Sequence, residues 1–73
     1  VKIYPNPTTG LVYLEDAAKL RMSLFNGSGQ QMNVPVVEDG SSVVLNLGRL
    51  PEGTYFLQLW DNGRAVLKTI IKE

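Results

Sequence analysis

The chain has 73 residues, 44% of them hydrophobic and 19% charged, with seven basic and seven acidic side chains and neither cysteine nor histidine. At this size one domain is the only division that leaves a core, and with only about 60% of the unfolded surface buried, each filled core position matters, since no disulfide or Cys/His metal site can help. A formal net charge of zero argues against an electrostatic nucleic-acid or anionic-membrane binder, which displaces counterions with clustered Lys and Arg, and no apolar run approaches the ~18 residues of a membrane span.

The chain opens on Val1 rather than Met, which reads as a piece of a longer protein. Val1-Lys2-Ile3-Tyr4 predicts a short edge strand, and Pro5-Asn6-Pro7-Thr8-Thr9-Gly10 ends it in a fixed corner because proline donates no ladder bond. Leu11-Val12-Tyr13-Leu14-Glu15 is apolar on both faces, and comparison with later strands sets Val12 and Leu14 inward. After the connection Asp16-Ala17-Ala18, Leu20, Met22 and Leu24 alternate with Arg21 and Ser23 as a half-buried strand does. In Asn26-Gly27-Ser28-Gly29 the two glycines are expected to supply the positive φ angles of a hairpin, leading into a strand over 30–34. Pro35 confines that strand to an edge or a bulge. Glu38-Asp39-Gly40-Ser41-Ser42 reads as a polar loop, after which Val43, Leu45 and Leu47 face one way and Val44 and Asn46 the other.

Gly48 to Gly53 is expected to be a compact connection, with Pro51 fixing φ, Gly53 free to take a positive φ and Leu50 as its apolar anchor. In the strand that follows, Tyr55, Leu57 and Leu59 are set in the core, and Phe56, Gln58 and Trp60 on the other face. Asn62-Gly63 is a type I′ hairpin signal, so 64–72 should pair antiparallel with 54–61. Val66 and Ile70 share one face of this last strand and Leu67 and Ile71 the other, which implies burial on both sides or cover from a partner. About seven short strands, regular turn signals and no helical window predict an all-β fold, a small antiparallel immunoglobulin-like β-sandwich, with a closed barrel as the alternative.

Little chemistry is available to such a chain. The usual general base, thiol nucleophile and transition-metal ligands are missing without His and Cys. Glu15 with Asp16, and Glu38 with Asp39, are adjacent carboxylates that diverge on a strand and are solvated in a loop, so neither makes a glycosidase pair. Asp39-Gly40 and Asp61-Asn62-Gly63 lack the alternating acidic series of a calcium loop, and turn chemistry accounts for them. The chain is therefore not expected to be an enzyme, and no cofactor or metal is expected. Phe56 and Trp60 lie opposite the predicted core and suit either a sugar- or protein-binding aromatic pair or an ordinary outer face covered by Arg and Lys stems. Lys68 and Lys72 share a strand face near the end, as a solvated edge that discourages aggregation would.

Four segments then fall in a telling order: Tyr4-Pro5-Asn6-Pro7-Thr8-Thr9-Gly10, Leu24-Phe25-Asn26-Gly27-Ser28-Gly29-Gln30, Leu50-Pro51-Glu52-Gly53-Thr54-Tyr55 and Lys68-Thr69-Ile70-Ile71-Lys72. Together they make essentially the whole chain resemble the C-terminal sorting domain of type IX secretion cargo, the type A domain of the Por secretion system. Pro5, Asn6, Pro7, Gly10, Gly29, Leu50, Pro51, Gly53 and Tyr55 carry the motifs. Two positions depart from the family, which commonly has Asp where Asn26 stands and Arg or Lys where Gln30 stands.

The resemblance implies that residues 1–73 are one folded secretion signal following an N-terminal cargo domain in the same precursor. Its implied partners are the outer-membrane translocon and a sortase-like protease that removes the domain and attaches the cargo to the surface. The implied route is periplasmic transit, then the outer-membrane surface or exterior, with no nucleic acid involved. Recognition is expected at Phe56, Trp60, Lys68, Ile70, Ile71 and Lys72, by a surface patch or by strand addition through the last strand. That strand also suits a homodimer or strand swap. The competing reading is a carbohydrate-binding or adhesive immunoglobulin-like module using Phe56 and Trp60.

Overall fold

Turns cut the chain into strands too short to stand alone, and ladder pairing gathers them into two sheets. The computed structural model describes residues 2–73, so Val1 lies outside the described part of the first predicted strand. The strands are β1 (Ile3–Tyr4), β2 (Leu11–Leu14), β3 (Arg21–Phe25), β4 (Gln31–Met32), β5 (Val36–Asp39), β6 (Ser42–Asn46), β7 (Gly53–Asp61) and β8 (Arg64–Lys72), and the described residues contain no helix. One sheet runs β1-β2-β6-β5 and the other β4-β3-β7-β8, with every neighbouring pair antiparallel. This is the predicted immunoglobulin-like sandwich.

The core forms where the inward faces meet. Val12, Leu14, Val43 and Leu45 come from one sheet, and Leu24, Tyr55, Leu57, Leu59 and Ile70 from the other, with Ala17 and Leu47 closing the ends. The inward sets expected on β2, β6 and β7 are the observed ones. The β7–β8 hairpin also follows expectation: Asn62 has φ 53° and Gly63 φ 79°, and the register runs from Asp61↔Arg64 to Gly53↔Lys72.

Elsewhere the structure corrects the sequence reading. Val36 to Asp39 is a strand, β5, which adds an eighth element and takes Glu38 and Asp39 out of the supposed polar loop. The turn is only Gly40-Ser41, with Gly40 at φ 64°. β4 is two residues long rather than five, because the chain must leave one sheet and join the other between Met32 and Val36; the Pro35 carbonyl already accepts from the Asn46 N–H at 3.0 Å. In the β3–β4 turn only Gly29, at φ 84°, has a positive φ, and Gly27 does not. The Asn26 side chain organises that turn instead, its Oδ1 accepting from the Ser28 and Gln30 N–H groups at 2.9 Å each. Finally, β8 is not buried on both faces: Ile70 is fully buried, whereas Leu67 is 62% exposed and Ile71 44%. Ile70 points between the two sheets, whereas Leu67 and Ile71 point to the outer face of the sandwich, which no further layer of the described residues covers.

Candidate recognition surface

All four motif segments have a physical role in this frame. In Leu50 to Tyr55 the Tyr55 ring is buried against the core while its O–H donates to the Pro51 carbonyl at 2.7 Å, four residues upstream. The Leu50 N–H donates to the Leu47 carbonyl at 2.9 Å, and Leu50 packs half-buried on the core. Gly53, at φ 155°, then opens β7. The motif thus ties a turn to its strand through a tyrosine, as the tyrosine corner of larger sandwiches does. Tyr55→Phe is expected to lose about 1 kcal/mol of unfolding free energy, because the Pro51 carbonyl loses its protein partner. Urea denaturation of the two proteins measures it.

The Pro5 to Gly10 segment crosses to the other sheet. Thr8 is buried, and its hydroxyl donates to the Leu11 carbonyl at 2.6 Å and accepts from the Gly10 N–H at 3.0 Å. The Gly10 carbonyl accepts from Leu47 N–H at 2.8 Å. Asn6 reaches the free side of β8: its Nδ2 donates to the Thr69 carbonyl at 2.8 Å and its Oδ1 accepts from the Ile71 N–H at 2.9 Å. The Thr8 backbone continues the run, donating to the Ile71 carbonyl and accepting from the Glu73 N–H, both at 2.8 Å. Thr8 and Lys72 form a parallel bridge. Pro5 and Pro7 flank Asn6, are exposed and contribute no donor.

At the β3–β4 turn the two departures from the family pattern turn out to be partners. Asn26 Nδ2 donates to Gln30 Oε1 at 3.0 Å, a neutral pair across the turn.

The expected recognition residues do not share one surface. Ile70 belongs to the core, opposite Tyr55. Lys68 and Lys72 lie on the same side of β8 as Ile70, half-buried at the sandwich rim, and Ile71 lies on the outer face. Lysines on an edge strand discourage those edge-to-edge pairings that bring like charges opposite one another. Phe56 and Trp60 are half-buried rather than an exposed pair. Phe56 sits between Phe25 and Thr69, and Trp60 between Arg21 and Ala65, with the Arg21 guanidinium 5.2 Å from the Trp60 ring. This is the outer face partly covered by an Arg stem that the sequence reading set beside the binding-pair reading.

Two further features bear on the surface, the first of them not anticipated. Tyr4 stacks on Tyr13 with ring centroids 5.6 Å apart, and register continues this row through Val44 to Val37 across the outer face of the first sheet. The other is the free edge of β8. Its outward Thr69 carbonyl and both Ile71 backbone groups are taken by Asn6 and Thr8, and by the two-residue period Ala65 and Leu67 present theirs in the same direction without such a partner among the described residues. No cluster of His, Cys, Asp and Glu suited to a metal occurs among the described residues.

The sequence model of the secretion system C-terminal sorting domain matches residues 2–73. No curated protein matches the chain.

Proposed function

The chain belongs to the secretion system C-terminal sorting domain family, and from that premise we propose that its terminal strand is the part the export machinery reads. A type IX sorting signal sends an attached N-terminal cargo across the outer membrane to the surface or the exterior. In our reading the precursor passes through the periplasm, the outer-membrane translocon engages the folded domain there, and a sortase-like protease afterwards removes it and attaches the cargo to the surface. The address lies along β8, with Ile71, Lys68 and Lys72 at its C-terminal half.

One observation supports this above the others: β8 is a nine-residue edge strand whose outward backbone groups at Ala65 and Leu67 have no partner among the described residues. A partner strand can add there through main-chain hydrogen bonds, taking specificity from alternate side chains. In this reading Phe56 and Trp60, on the adjoining outer face, meet the added strand's side chains rather than a sugar. Strand addition gives a sharp test. The Leu67 N–H points away from β7, so Leu67→Pro keeps the β7–β8 ladder but removes a donor that an added strand needs. A cargo fusion carrying Leu67→Pro is expected to reach the surface at least about tenfold less than its parent, the equivalent of one lost interaction of ~1.4 kcal/mol. Both fusions should show the same thermal midpoint. Equal surface levels for two equally folded fusions would exclude strand addition at this edge.

A further inference from the structure

We propose that Asn6 and Thr8 form a latch that closes the C-terminal half of the β8 edge against pairing with a second copy of this chain. Four outward backbone groups are held: the Thr69 carbonyl and Ile71 N–H by the Asn6 carboxamide, and the Ile71 carbonyl and Glu73 N–H by the Thr8 main chain. A carboxamide presents one donor and one acceptor, as a peptide unit does, so Asn6 stands in for a residue of an added strand. The segment therefore works as a short surrogate neighbour for β8, running parallel to it at Thr8↔Lys72.

The partner that this edge fits is another β8. An antiparallel pair centred on Thr69 aligns outward groups with outward groups along 65–73 and places Leu67 opposite Ile71 of the other copy. Those two side chains are 62% and 44% exposed on the outer face. In that register Lys68 faces Ile70 and Lys72 faces Val66, so no lysine meets a lysine and no like-charge penalty opposes the pairing. The Glu73 end of one copy then lies beside the Arg64–Ala65 end of the other. What prevents this register is that Asn6 and Thr8 already occupy the Ile71 positions. Only the Ala65–Leu67 stretch stays open while the latch is shut. This holds whether or not the terminal strand is what the export machinery reads.

Residue-resolved amide exchange, together with mass in solution by light scattering, tests the latch in the 73-residue chain. The parent is expected to be monomeric with a slowly exchanging Ile71 amide. Asn6→Ala removes both side-chain bonds, and the Ile71 amide should exchange about tenfold faster, as loss of ~1.4 kcal/mol of protection implies. The Leu57 amide should remain slow and a concentration-dependent dimer should appear. Asn6→Asp keeps the acceptor for the Ile71 N–H and loses the donor to Thr69, so Ile71 should stay slow, which separates the latch from general loosening should Asn6→Ala fold poorly. Combining Asn6→Ala with Leu67→Pro should restore the monomer. The proposal is overturned by unchanged Ile71 exchange in Asn6→Ala, by fast exchange without a dimer, or by a dimer that survives Leu67→Pro.

Discussion

Deleting Lys68–Glu73 from a cargo fusion is expected to abolish export and leave the fusion inside the cell envelope. The cut removes more than an address. Ile70, which has no solvent exposure, leaves a gap over Tyr55, and the ladder between Gly53 and Leu57 loses its outer partner. Asn6 and Thr8 lose the strand they hold. Filling a buried aliphatic position of this kind contributes about 2–5 kcal/mol, against a total stability of roughly 4–11 kcal/mol for a domain of this length. The truncated domain is thus expected to be largely unfolded as well as unaddressed. Immunodetection at the surface and in envelope fractions reads export, and Leu67→Pro supplies the folded counterpart in which the backbone edge alone is altered. Surface display of the truncated fusion at the parent's level would sink the proposal that the terminal strand carries the signal.

Leu57→Ala is expected to cost about 2–5 kcal/mol, enough to unfold much of the population at ordinary temperature. Leu57 is 1% exposed on the central strand of its sheet, flanked by Leu24 on β3 and Lys68 on β8, and faces the opposite sheet. Neither neighbouring strand can collapse into the space without breaking its own ladder. Leu67→Ala, of identical side-chain chemistry at a site 62% exposed, should change stability by no more than about 0.5 kcal/mol. Urea titration of both variants gives the comparison, and equal midpoints would contradict the core described above.

How far the sequence carried the fold depended on whether the signal was local. Alternation marked the buried face of β6 because one side of that strand meets a core and the other does not, whereas β2, apolar on both faces, was oriented only by comparison with the later strands. Asn62-Gly63 marked its hairpin because the turn's backbone angles belong to those two residues. β5 left no such mark: Val36 and Val37 are followed by Glu38 and Asp39, and all four are exposed, so no alternation exists to be read and only pairing with β6 makes the strand. The two-sided apolarity of β8 was visible, but its cause was not. Leu67 and Ile71 are apolar without being covered.

The functional reading divides in the same way. Pro51 and Tyr55 are close in sequence, and their turn could be expected. Asn6 and Thr69 are separated by 63 positions, and nothing local in Pro-Asn-Pro announces which backbone its amide will meet. The half-burial of Phe56 and Trp60 likewise depends on Phe25 and Arg21, which come from a strand paired only in three dimensions.

The parallel run of the Asn6–Thr8 segment beside the end of β8 also has a mechanical meaning. If a cargo restrains the β1 side while a machine draws on the Glu73 side, the two neighbours are pulled in opposite directions along a common axis. Their four hydrogen bonds are then loaded together, in shear, and must yield nearly at once. Tension applied across the β7–β8 hairpin instead peels that ladder one rung at a time. Forced opening is governed by the barrier along the pulled direction rather than by overall stability. A domain of modest thermodynamic stability can therefore hold its terminal strand firmly against traction from its own two ends, and release it readily to a partner that lifts the strand sideways.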